Sequence, residues 1–143
     1  MPKSTTTCNN FLRLLFNAAA WANVADNAAA SPLTNLFVSL HTADPGVGNA
    51  QTTNETAYTN YARIAVVRTS GGWTVATNTA TNAALIQFAQ CGATGATISH
   101  VAIGTALTGA GNVLSAGALS STLAVANGIQ PQFAASALTH TET

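Results

Sequence analysis

One stretch, residues 36–46 (LFVSLHTADPG), divides the chain into two parts with different patterns. In its first half aliphatic residues occupy every second position from Leu36 to Leu40, which is the period of a half-buried β-strand. The strand has to stop at Pro45, because proline fixes its own φ angle and lacks a backbone donor, and Gly46 permits the turn that follows. We predict helix before this stretch and short strands after it.

The N-terminal part carries the helical signal. Residues 1–8 (MPKSTTTC) show no apolar period, and we predict an extended arm there. From a cap at Asn9 or Asn10, apolar residues recur at helical spacing among several alanines, which predicts a helix over residues 9–30. The apolar face includes Phe11, Leu15 and Trp21. This face either covers the domain's own sheet or docks partly on another subunit, and the sequence leaves both open.

The rest of the chain consists of short alternating runs separated by Gly, Asn and Pro turns. We predict a hairpin over residues 58–77, strands over 83–88, 98–103 and 113–119 with an interruption at Gly117, a hairpin over 123–133, and a last strand over 137–141. About eight short strands of this kind are typical of an antiparallel β-sandwich or jelly roll. We therefore predict a mainly β fold in one domain over residues 1–143, with the β-sandwich over residues 35–143.

Charged residues are scarce. Four Lys plus Arg and four Asp plus Glu make up 6% of 143 residues, against about 25% in an average soluble protein. With no net charge to keep copies apart, the chain is expected to be a subunit of an assembly, and a soluble monomer covered by Thr and Asn is the alternative. There is no basic excess for nucleic acid and no segment suited to span a membrane.

Two cysteines, Cys8 and Cys91, make no disulfide framework, so we expect free thiols in a protein made in a reducing cytoplasm.

No constellation of catalytic or metal-binding residues is visible in the sequence. The acidic residues are spread over the predicted helix, a loop and the tail, an arrangement that does not suggest a catalytic carboxylate pair. The histidines lack metal-ligand spacing, although His41 and His100 could face each other across a sheet. No serine stands in a nucleophile-elbow motif. We predict no enzymatic activity, no metal and no cofactor.

The longest predicted loop covers residues 43–57, and a loop of this length in a compact domain commonly has a function or contacts a partner.

Arg63 and Arg68 matter individually because the chain has so few charges. Each is expected to pair with Asp44 or Glu55, either across a subunit boundary or as an ordinary surface pair worth under about 1 kcal/mol.

Five segments carry a resemblance to a known family. They are residues 14–29 (LLFNAAAWANVADNAA), 31–46 (SPLTNLFVSLHTADPG), 54–75 (NETAYTNYARIAVVRTSGGWTV), 98–119 (ISHVAIGTALTGAGNVLSAGAL) and 127–142 (NGIQPQFAASALTHTE). In this order they resemble the small tailed-bacteriophage virion proteins usually labelled phage tail fibre protein. The form is similar to chains of short-tailed phages that occur as capsid cement.

The resemblance implies a virion structural protein. We expect a capsid cement or decoration protein on the outer capsid surface, bound to the major capsid protein and, as a dimer or trimer, to itself. A tail or fibre-attachment component is the second interpretation, and a glycan-binding module with Tyr58, Tyr61 and Trp73 as its aromatic platform is the third. Exposure arguments place partner contacts in the arm, the helix face, the long loop and the arginines: Pro2, Lys3, Phe11, Leu15, Trp21, Asp44, Glu55, Tyr58, Arg63 and Arg68.

Overall fold

A computed structural model describes residues 3–21 and 32–143 of the protein. Within these ranges lie one helix and nine strands. The helix α1 spans Thr5–Asn17, and strands β1 to β9 span Asn35–His41, Ile64–Val67, Trp73–Ala76, Thr79–Asn82, Ile86–Gln87, Ala96–Gly104, Val113–Val125, Gln132–Phe133 and Thr139–Thr141. The strands pair in antiparallel sheets, so the predicted mainly β class with an N-terminal helix is confirmed.

The chain forms two compact units. The first consists of Met1–Asn35, Val66–Ile86 and Phe133–Thr143, and the second of Leu36–Ala65 and Gln87–Gln132. The sheets have the strand orders β2-β1-β6-β7, β3-β4-β9 and β5-β8. The sandwich arrangement and the single domain over residues 1–143 stay predictions.

The helix begins earlier than predicted. The Ser4 side chain caps it by accepting a hydrogen bond from the Thr7 backbone N–H at 3.1 Å. The predicted extended arm is therefore wrong for residues 5–8, which are helical and include the buried Cys8. A good N-cap and burial outweigh the weak helix propensity of the three consecutive threonines.

The helix also ends earlier than predicted within the described residues. It stops at Asn17, and Ala18 follows in the left-handed region with a φ of 51°. The predicted helix over residues 9–30 therefore begins too late and continues too far, since the observed helix spans Thr5–Asn17. Residues 22–30 of the prediction lie outside the described residues, as does the predicted contact residue Pro2.

One face of α1 packs on the sheet of its own unit. Leu12 and Phe16 are fully buried, and the Phe16 ring meets the edge of Trp73 with centroids 4.9 Å apart. The Asn17 amide donates to the Trp73 carbonyl at 2.9 Å. Of the two alternatives for this helix, covering the domain's own sheet is the one that these contacts support.

Strand β1 is buried on both faces at its C-terminal end. Leu36, Val38 and Leu40 are buried as the alternation predicts, but Ser39 and His41 are buried as well. The strand is central in its sheet, and the following loop folds back over it through a bridge between His41 and Glu55. The second face of a strand that its own sequence predicts to be half-buried is thus covered by the loop that follows it.

The predicted hairpin over residues 58–77 is wrong. β2 pairs with β1, and β3 pairs instead with β4. Ala76 and Thr79 are the last pair of that ladder, so the turn consists of Thr77 and Asn78, with Thr77 in the left-handed region at a φ of 57°. Because this turn contains no glycine, the sequence pattern assigned the reversal to Ser-Gly-Gly upstream.

The predicted hairpin over residues 123–133 is also wrong, although its turn forms. Gly128 has a φ of 85°, and the Ile129 N–H donates to the Ala126 carbonyl at 2.9 Å. The flanking strands do not pair with each other, because β7 pairs with β6 while β8 pairs with β5. β7 is continuous through Gly117, where an interruption was predicted.

Candidate interaction surface

A buried ion pair organises the second unit. The Arg63 side chain, only 4% exposed, donates from Nε and Nη2 to the two carboxylate oxygens of Glu55, each at 2.7 Å. The Tyr61 hydroxyl donates to the same carboxylate at 2.8 Å. The hydrogen bond to Glu55 raises the pKa of the Arg63 guanidinium. This is a planar, two-point pairing that only arginine can make.

Arg63 also holds a second loop. Its Nη1 donates to the Ala106 carbonyl at 2.9 Å and its Nη2 to the Gly109 carbonyl at 2.8 Å. One guanidinium thus joins the loop of residues 42–57, which carries Glu55, to the loop of residues 105–112. We call these two segments the loop pair.

Gln51 is the second connection within the loop pair. The fully buried Gln51 side chain accepts a hydrogen bond from the Ala106 N–H at 2.8 Å, and the Gln51 backbone N–H donates to the Ala110 carbonyl at 2.6 Å. A Cβ atom at Gly104 or Gly111 would overlap the Gln51 side chain. Glycine at these two positions therefore makes room for the amide, and the loops approach each other closely.

The outermost part of the first loop is a short tip, residues 44–48. The Asp44 carboxylate accepts from the Gly46 N–H at 2.8 Å, and Gly46 and Gly48 have φ angles of 71° and 80°. The Gly48 N–H donates to the Val113 carbonyl at 2.9 Å, which fixes the base of the tip. Between the glycines, Val47 is 68% exposed. The tip thus presents an aliphatic side chain and a carboxylate from a hydrogen-bonded backbone.

A serine and a histidine beneath the loop pair resemble half of a catalytic triad. His41 Nδ1 lies 2.9 Å from the Thr53 carbonyl, which can only accept, so this nitrogen carries the proton. Nε2 then accepts from the Ser39 hydroxyl at 2.9 Å. Burial lowers the pKa of His41, which favours this neutral ring. Both side chains have no exposed surface, so the pair supports the loop and offers no hydroxyl to a substrate.

The other predicted contact residues lie in the first unit. Phe11 is 44% exposed on α1, and Leu15 and Trp21 are half-buried. Lys3 forms an ion pair with Glu142. Arg68 donates to the backbone carbonyls of Leu14, Leu15 and Leu33, so it stabilises the C-terminal end of α1.

The structure therefore separates the predicted contact residues into exposed and internal ones. Asp44 and Phe11 are exposed, whereas Tyr58 and Arg63 are buried and engaged within the chain. The predicted ion pair between an arginine and Glu55 is formed by Arg63, within one copy of the chain. Tyr58 and Trp73 are 2% and 1% exposed, so they offer no ring face for the aromatic platform considered above.

Sequence reasoning missed Gln51 and Tyr61 as members of this site. A lone glutamine in a polar loop carries no signal of burial, and Tyr61 was assigned to a strand. Gly104, which ends β6, and Gly111, which precedes β7, are the signal from which a close approach could have been predicted.

Further findings concern cysteines, metals and membranes. Cys8 and Cys91 are buried free thiols, as expected. His41 and His100 are direct partners in the β1–β6 ladder. Within the described ranges no three His, Cys, Asp or Glu side chains lie close enough together to hold a metal ion. None of the helical segments in that part of the chain is long and apolar enough to cross a membrane.

The comparison with known families identifies the chain. A family model described as Podophage GP4 fiber I protein gp80 matches residues 3–141. Since the match covers nearly the whole chain, the protein belongs to this family of phage virion structural proteins. The resemblance to small phage tail-fibre proteins is confirmed. A search of curated proteins finds no match to the chain.

Proposed function

We propose that this member of the podophage fibre I family is a structural subunit of the tail assembly, held in the particle by non-covalent contacts of the loop pair. The observation that carries the proposal is the family match over residues 3–141. The family is named for a fibre protein, and this favours the tail over the shell.

The loop pair suits such a role because its conformation is fixed before binding. Arg63 and Gln51 join its two loops through hydrogen bonds inside one chain. A surface that is already ordered loses little conformational entropy when a partner binds, so more of the contact energy appears as affinity. The exposed Val47 and Leu107 supply apolar contact area on the two loops.

Capsid cement is the second candidate function. It is favoured by the near absence of charge, with 6% charged residues and no net charge, because such a surface can bind apolar and backbone groups of a shell repeatedly along the lattice. In this case the partner is the major capsid protein, on the outer capsid surface. Further copies of the chain are a partner in both cases.

Quantitative mass spectrometry of purified particles tests the proposal and separates the two candidates. A tail component is expected in a small fixed number of copies per particle, whereas capsid cement is expected at a level comparable to the major capsid protein. Absence of the chain from particles whose host cells contain it would refute both.

A pair of variants tests the loop surface. Val47→Asp places a charge on the exposed tip and is expected to reduce incorporation into particles. Ala93→Asp places the same charge on another exposed position of the second unit and is the matched control. Equal incorporation of both variants would show that the tip makes no contact in the particle.

A further inference from the structure

Among the described residues, three charged side chains lack an opposite charge at ion-pair distance. The salt bridges of the described residues are Lys3–Glu142, His140–Glu142 and Arg63–Glu55. Within residues 3–21 and 32–143 this leaves Asp44, Arg13 and Arg68. The sequence contains no Asp, Glu, Lys or Arg between Arg68 and Glu142, so the chain has few other charges with which to orient a second molecule.

Arg68 lies on a surface of the first unit that combines a fixed cation with an exposed aliphatic side chain. Its guanidinium donates to the carbonyls of Leu15 at 2.8 Å, Leu14 at 2.9 Å and Leu33 at 2.6 Å. These bonds use three of the five donors of the group, and the other two have no partner among the described residues. Leu33, whose carbonyl accepts from Arg68, is 42% exposed. We call Leu33 and Arg68 the arginine patch.

The tip of the second unit has the opposite character. One oxygen of the Asp44 carboxylate accepts from the Gly46 N–H, and the other has no hydrogen-bond partner among the described residues. Val47 projects an exposed aliphatic side chain three positions further on. Both surfaces therefore combine an exposed aliphatic side chain with one charge that has no ion-pair partner among the described residues, and the two charges are of opposite sign.

We propose that the tip of one copy binds the arginine patch of a second copy. The Asp44 carboxylate accepts from the two remaining donors of Arg68. Val47 packs against Leu33. A guanidinium and a carboxylate that are each held in place by backbone hydrogen bonds meet with little loss of side-chain freedom, which is the condition under which an ion pair contributes most.

The contact joins two different surfaces, so it can repeat from copy to copy. A head-to-tail contact of this kind generates a ring when the rotation closes and an open array when it does not. The inference rests on the proposed function, since it names a second copy of the chain as the partner of the tip of the loop pair.

Cross-linking between two variants that each gain one exposed cysteine tests the geometry. Val47→Cys and Leu33→Cys, one of them carrying a mass tag, are mixed in equal amounts and oxidised. We expect the mixed dimer to exceed both like-with-like dimers well beyond the statistical ratio. The unmodified chain, whose Cys8 and Cys91 are buried, is treated in the same way as the control.

Self-association in solution tests the charges. Asp44→Asn keeps the acceptor for the Gly46 N–H but removes the negative charge, and Ala93→Lys changes the net charge by the same amount at another exposed position of the second unit. Sedimentation velocity is expected to show about fivefold or greater weakening for Asp44→Asn only. For the unmodified chain, association is expected to weaken with added salt.

The outcomes separate this inference from the proposed function. A statistical mixture of cross-linked dimers, or equal association of the two charge variants, would overturn the tip-to-patch contact. If either of these results is found and the unmodified chain is still incorporated into particles, the proposed function stands without the tip-to-patch contact. If the unmodified chain is missing from particles, the proposed function fails whatever the cross-linking shows.

Discussion

Replacing Arg63 with methionine is the sharpest test of the architecture of the loop pair. Methionine approximates the length and apolar stem of arginine but removes all its donors. The substitution leaves the Glu55 carboxylate, whose side chain is 14% exposed, without its partner, together with the carbonyls of Ala106 and Gly109.

The magnitude follows from the number and kind of these contacts. Four hydrogen bonds from one charged, buried group are lost. Removing one partner of a buried ion pair typically costs about 3–5 kcal/mol, because the remaining charge stays desolvated. We expect Arg63→Met to lower the free energy of unfolding by about this amount, which is a large part of the stability of an ordinary domain.

Urea unfolding followed by circular dichroism measures this change. Arg13→Met is the matched control, since Arg13 is exposed and has no ion pair within the described ranges, and it is expected to change stability by less than about 0.5 kcal/mol. The double variant Glu55→Gln/Arg63→Met should lose less free energy of unfolding than the sum of the losses of the two single variants. The reason is that the double variant no longer buries an unpaired carboxylate.

If Arg63→Met and Arg13→Met destabilise the protein equally, and both by less than about 1 kcal/mol, the pair between Arg63 and Glu55 is an ordinary surface pair and does not hold the loops.

Three further predictions concern single positions. Gly104→Ala should destabilise the protein by about 1–3 kcal/mol because its Cβ meets Gln51, while Gly117→Ala, with open space around it, should be near neutral; equal unfolding midpoints would contradict this. Thr77→Gly should stabilise by about 1 kcal/mol because a β-branched residue is strained at a φ of 57°, and an unchanged midpoint would argue against that turn. Burial lowers the pKa of His41 below 6.5, so the unfolded chain binds more protons below that pH and stability should fall as the pH drops through 6.5. A proton NMR titration in which the native ring protonates at or above 6.5 would contradict this prediction.

The strands that sequence reasoning placed correctly are those with a strong local signal. β1 and β6 follow long apolar alternation, and β6 at Ala96–Gly104 contains the predicted run of residues 98–103. Their partners were less predictable. The turn at Thr77 and Asn78 lacks glycine, so β4 was missed and Trp73 was assigned to the wrong neighbour.

The site was less predictable than the fold because its members are joined by contacts distant in sequence. Arg63 was singled out for its rarity, and its pairing with Glu55 was among the options considered. Its burial depends on the carbonyls of residues 106 and 109, more than forty positions away. Tyr58 was expected at a contact because it ends a long loop that was predicted to be exposed, but it is buried and its hydroxyl donates internally to the Ala89 carbonyl at 3.0 Å.

Cryo-electron microscopy of the intact phage particle tests the central claim most directly. The account predicts density for this chain in the tail assembly, with the loops of residues 42–57 and 105–112 against a neighbouring protein chain. Density on the capsid lattice would favour the cement role. Particles that contain no copy of the chain, or copies in which both loops face solvent at every position, would contradict the account.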